Sequence, residues 1–324
     1  MKKILTWRSV WAALCLTLTL VLFHAPDANA QARLRKQMDF DNDNKADFAV
    51  FRPTTNTWYI LNSGGGNVGQ TFGVNSTDFE TPGDYDGDGK ADICVWRDPI
   101  GTFYYIRSSD NVVAAQQWGQ SGDEPAPRDY DGDGKTDFAV VRRPGGGMTW
   151  YILQSMTGTL RVENFGITTD FIAPGDYDGD GKFDVAVQRG STNGMNDPAT
   201  FYLLQSTAGF AVVQWGLTFD FVVPGDYDND GKTDLAVLRD ASGAFVWYIR
   251  QSSNGALLTV TFGTSMTDFS VQNDYDGDGK CDIAVFRDAG GTGTFYIRKT
   301  SDGSLIVQQW GTTADFPVAS FDMH

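Results

Sequence analysis

Nine residues recur six times along this chain, and they leave it few folds to choose from. The motif starts at Asp39, Asp84, Asp129, Asp176, Asp226 and Asp274, and its second copy reads Asp84-Tyr85-Asp86-Gly87-Asp88-Gly89-Lys90-Ala91-Asp92. Successive starts lie 45, 45, 47, 50 and 48 residues apart. A period of this length marks a propeller or a solenoid, in which no unit buries its apolar face alone.

The rest of each unit reads as strands. A short apolar run follows every motif, as in Phe48-Ala49-Val50-Phe51, Ile93-Cys94-Val95-Trp96 and Ile283-Ala284-Val285-Phe286. It is too short for a helix and apolar on both faces, so it predicts a strand covered on both sides. A second strand carries Tyr59, Tyr105, Tyr151, Tyr202, Tyr248 or Tyr296. A third ends in aromatic-Gly, from Phe72-Gly73 to Trp310-Gly311, and a fourth, such as Asp170-Phe171-Ile172-Ala173-Pro174, leads into the next motif. Four strands per unit make a propeller blade. The expectation is an all-β propeller of six four-stranded blades, with seven blades as the alternative count.

Acid is concentrated in the motif. Position 1 is Asp39, Asp84, Asp129, Asp176, Asp226 and Asp274; position 3 is Asp41, Asp86, Asp131, Asp178, Asp228 and Asp276. Position 5 is Asp43, Asp88, Asp133, Asp180, Asp230 and Asp278; position 9 is Asp47, Asp92, Asp137, Asp184, Asp234 and Asp282. Four carboxylates within nine residues repel one another unless a cation joins them. A flexible set of oxygens suits Ca²⁺ better than Mg²⁺. A glycine at position 6 (Asn44 in the first copy) permits the sharp turn around the ion. Position 7, Lys45, Lys90, Lys135, Lys182, Lys232 and Lys280, is assigned as a ligand through its carbonyl, with the side chain in water. The loop opens like an EF-hand but has valine where that motif needs a glutamate at position 12, so the ninth Asp takes the bidentate role.

The Asp-x-Asp-x-Asp-Gly-x-x-Asp loop, the apolar strand after it and the aromatic-Gly ending resemble the FG-GAP (integrin-type, VCBS-like) repeat family. That resemblance implies a propeller with Ca²⁺ between the first two strands of a blade. It also implies a role in adhesion, in glycan binding or beside an enzyme, without fixing a ligand.

Residues 1–30 read as a signal peptide: Lys2, Lys3 and Arg8, then the apolar stretch Val10 to Phe23, then Ala28-Asn29-Ala30. An uncleaved anchor is the alternative. Residues 31–324 then form a single propeller domain, secreted or at the cell surface. This part carries 22 Lys and Arg against 40 Asp and Glu, a surface that repels nucleic acid and anionic membranes. It offers no membrane-inserting segment. Cys94 and Cys281 occupy different positions of the repeat and are expected to be buried thiols rather than a disulfide. Beyond residue 30 the only histidine is His324, which leaves histidine-dependent triads and zinc sites without material. The favoured reading is a non-enzymatic module that binds a glycan or an extracellular protein. The alternatives are a polysaccharide-degrading enzyme with an Asp/Glu pair on the loop face, and a structural envelope component.

Two further patterns bear on closure. Arg52, Arg97, Arg142, Arg189, Arg239 and Arg287 stand thirteen residues after the motif starts, and Asp78, Asp123, Asp170, Asp220 and Asp268 stand six before the last five. They predict ion pairs across each hairpin, at the end away from the metal. Arg52 lacks such an Asp, whereas Asp315-Phe316-Pro317-Val318 has no motif after it. The strand over 315–322 is therefore expected to complete the first blade. The recurrent Trp and Tyr residues read as blade packing. The long fourth-unit loop, Gly190 to Ala199, is the weak pointer to a variable binding surface.

Overall fold

The structure, a computed structural model, describes residues 37–319 apart from Asn193 and Met195. The proposed signal peptide and residues 320–322 of the closing strand lie outside the described residues. Six four-stranded antiparallel sheets form a ring, a six-bladed β-propeller, and one 3₁₀ turn (Asp98–Ile100) is the sole helix among the described residues. The second blade shows the plan. Its lead-in strand Asp78–Glu80 pairs with Ile93–Arg97, which pairs with Thr102–Ile106, which pairs with Val113–Gln117 on the outside. Lead-in residues of four blades line one cavity, which places these strands around the central axis.

Burial explains the order of strands within a blade. The apolar run is a strand buried throughout until its terminal Arg, as Ile93 to Trp96 show, so it lies inside the sheet stack. The outer strand alternates exposed and half-buried residues because only one of its faces meets protein. The core lies between blades. Tyr85 of the second blade stacks on Phe138 of the third with ring centroids 4.9 Å apart, and Tyr275 of the sixth stacks on Phe48 of the first at 5.3 Å. Cys94 and Cys281 are buried free thiols.

The ring closes where the orphan Arg and Asp predicted. Phe316–Pro317 pairs with Phe48–Arg52 of the first blade, a shorter strand than 315–322. Arg52 Nε and Nη2 donate to the two oxygens of Asp315 at 2.8 and 2.9 Å. Trp310 Nε1 donates to the Tyr59 carbonyl at 2.9 Å, as Trp118 Nε1 does to that of Tyr151 within the ring. The glycine of each aromatic-Gly pair explains the close fit. Gly311 has φ +107°, and a Cβ there would stand 3.3 Å from Val50 Cγ1 in the first blade. Gly73 has φ +95° and meets Val95 of the next blade in the same way.

All six Arg–Asp pairs form, with bidentate contacts of 2.6–2.9 Å. Each guanidinium also lies over a tyrosine ring of the neighbouring strand. In the second blade that tyrosine is Tyr104, which pairs with Val95 as Tyr59 pairs with Val50. Tyr105 is therefore not the repeat-equivalent residue. It points to the opposite face and packs against Tyr85 and Phe138.

Candidate metal centre

In five blades the acidic loop joins the lead-in strand to its neighbour, and in the first it leads into Phe48–Arg52, in each case at the end opposite the Arg–Asp pair. Their shape follows from backbone geometry. Positions 4 and 6 both have positive φ, from +63° to +92°, and each is Gly or Asn in every copy. Only position 6 was legible as a constraint from the sequence. The two turns aim amides inward, so that the first Asp caps its own loop. In all six copies its Oδ1 accepts the N–H of position 4 at 2.6–2.7 Å and its Oδ2 that of position 6 at 2.9–3.0 Å. The fifth Asp accepts the N–H of the Lys at position 7.

The ninth Asp is fully buried and clasps two segments. Its Oδ2 accepts the N–H of position 2, and its Oδ1 accepts the N–H of a residue in the turn after the tyrosine-bearing strand: Ser63, Ser108, Ser155, Ser206, Ser252 or Thr300. These hydroxyl residues belong to the site, and the sequence reading missed them. Their signal was a Ser or Thr at that place in every copy. Ser63, Ser108, Ser155, Ser206 and Ser252 also donate their hydroxyls to the fifth Asp. The turn further reaches the third Asp, as when Met156 N–H donates to Asp131 and Ser109 Oγ to Asp86.

The loops are joined to one another. The N–H at position 8 donates to the carbonyl of the first Asp in the preceding loop at 2.6–2.8 Å in all six cases, including Ala46 to Asp274 across the closure. The Lys at position 7 does not simply reach into water, as the sequence suggested. Lys135, Lys182, Lys232 and Lys45 lay their methylenes against the position-4 glycine of the preceding loop, and Lys135 Nζ donates to the Asp86 carbonyl at 3.0 Å. That glycine leaves a groove which the aliphatic stem fills.

Electrostatics tests the fit of a cation. Burial pushes Asp47, Asp137, Asp184, Asp234 and Asp282 up to about 7 and Asp92 to about 6, despite the two N–H groups that each accepts. Burial also raises Asp39, takes Asp176 to about 6 and takes Asp226 to about 7. The loops' own donors therefore leave negative charge under-compensated. Carboxylate oxygens of three loop acids converge within 4.8 Å: Asp39, Asp41 and Asp43; Asp84, Asp86 and Asp92; Asp129, Asp131 and Asp137; Asp176, Asp178 and Asp184; Asp226, Asp228 and Asp230. A hard divalent cation fits this all-oxygen, acid-rich donor set.

The family model of the FG-GAP-like repeat matches residues 39–95 and 129–187, each of which runs from one acidic loop through the next and into the strand after it. No curated protein matches the chain. FG-GAP-like repeats on a propeller fit an adhesion or binding module, and no helix among the described residues is long and apolar enough to cross a membrane.

Proposed function

We propose that this chain, a member of the FG-GAP-like repeat family, is an exported, calcium-stabilised propeller that binds a glycan or an extracellular protein. One observation carries the reading. Six acidic loops, each with its first and ninth Asp buried and too little positive charge of its own, meet in one hydrogen-bonded ring. Calcium in these loops supplies the missing charge and fixes the end of the propeller where all six blades are joined. The carboxylates at positions 1, 3, 5 and 9 hold it, and the Ser/Thr turn holds those carboxylates in place. The basic-apolar-small leader in residues 1–30 supports export. The strong net acidity supports a ligand other than nucleic acid or an anionic membrane.

Calorimetry with and without EGTA tests the calcium reading. Affinity is expected in the range of extracellular modules, on the order of 10⁻⁴–10⁻³ M. A site that binds only the folded state adds about 1.4 kcal/mol at ten times its Kd, so six sites move the transition by many degrees. A transition unmoved by EGTA, together with purified protein free of calcium, would overturn the reading.

A further inference from the structure

Departures from the sixfold pattern isolate one sector of the ring. The residue after each paired Asp in the lead-in strand is Phe79, Phe171, Phe221, Phe269 or Phe316, and all five rings are 39–52 % exposed. In the third blade this place is held by Glu124, drawn into an ion pair with Arg143 at 2.6 Å. The position just before the first Asp is glycine in three blades but Arg128 in the third, where it is 8 % exposed. Both departures line the same axial cavity of about 200 Å³, together with Phe79, Glu80, Ile172 and Ala319. A second cavity of about 330 Å³, between the first and second blades, shares Phe79, Glu80 and Ala319 with it. Beside the axial cavity, Gln37 Nε2 donates to the carbonyl of the lining residue Pro127 at 3.2 Å. Gln37 Oε1 is left without a hydrogen-bond partner, although the residue is 4 % exposed.

We propose that this cavity, opened where Glu124 replaces the sixth phenylalanine, is a subsite for the terminal residue of a neutral glycan. The inference rests on the binding-module reading and narrows it. About 200 Å³ accommodates one sugar ring and not an α-helix, whose diameter with side chains is about 10–12 Å. Half-exposed Phe79 offers an apolar face for the C–H side of a pyranose. Glu80 and Glu124 accept from hydroxyls, and the Arg128 guanidinium donates to them. The chain's net charge of −16 opposes polyanionic glycans.

The test is saturation-transfer NMR in millimolar calcium with methyl glycosides of glucose, galactose, mannose and N-acetylglucosamine, and with indole as an apolar probe. At least one glycoside is expected to show transfer. Glu124→Phe, which restores the repeat's own residue, and Phe79→Ser are each expected to weaken it at least tenfold. Phe221→Ser, at the same place in another blade, leaves it unchanged. The proposal fails if no glycoside shows transfer, if transfer survives Glu124→Phe and Phe79→Ser, or if indole alone binds. The EGTA shift in melting, recorded on the same variants, is independent of these outcomes and separates loss of this subsite from failure of the calcium reading.

Discussion

Asp315→Ala cuts the ion pair that ties the C-terminal strand to the first blade. The Asp315 carboxylate is 1 % exposed, accepts two bonds from Arg52 and also accepts the Thr312 N–H at 2.8 Å. Breaking a buried pair by removing one partner costs about 3–5 kcal/mol. Arg52 is 26 % exposed and retains the Tyr59 ring 4.3 Å away, so part of its charge is solvated after the loss. The cost is reduced to about 2–3 kcal/mol. For a domain of this size that lowers Tm by roughly 3–6 °C. The comparison that decides is Asp220→Ala, which breaks the equivalent pair inside an uninterrupted blade, where Asp220 is 2 % exposed. Thermal unfolding followed by circular dichroism should give the two variants equal losses, and a double-mutant cycle with Arg52→Ala should return a coupling of about 2 kcal/mol. If Asp315→Ala stays within about 0.5 kcal/mol of the parent while Asp220→Ala loses stability, the C-terminal strand is a frayed end and the ring is not closed in this way.

Gly311→Ala should destabilise by about 1–3 kcal/mol in chemical denaturation, because it adds a Cβ at φ +107° and crowds Val50 across the closing interface. Asp137→Ala, which leaves the N–H groups of Tyr130 and Ser155 unpaired, should cost about 2–4 kcal/mol. Lys135→Ala, which loses its packing on Gly87 and the bond to the Asp86 carbonyl, should cost only about 1 kcal/mol, and equal costs by urea titration would contradict this division of roles. Acid should unmake the pairs that Asp268 and Asp315 make with Arg287 and Arg52. Burial raises Asp268 and Asp315, but their Arg partners and neighbouring donors outweigh it and hold both below the usual 3.8. Their contribution is therefore complete above pH 3.8 and disappears as pH falls through the lower folded-state values; the Asp315→Asn variant lacks the Asp315 share, so its Tm should fall less than the parent's between pH 5 and pH 2.

What the sequence determined is what repetition and local chemistry determine. A carboxylate at positions 1, 3, 5 and 9 of every loop and an apolar run after each loop specify the unit. The unmatched Arg52 and Asp315 specify how many units close the ring, because an Arg thirteen residues past the first loop Asp has one partner in a hairpin. Contacts between units were hidden. Lys135 reaches back to a loop in the preceding blade, and the Ala91 amide bonds to Asp39. Those partners meet only once the blades are arranged around an axis. Tyr104 and Tyr105 could not be told apart by position, since strand register alone decides which side chain faces the arginine. The axial cavity has the same origin. Glu124 and Arg128 are ordinary residues of one lead-in segment in the sequence, and only the ring brings them to one cavity with Phe79 and Ala319.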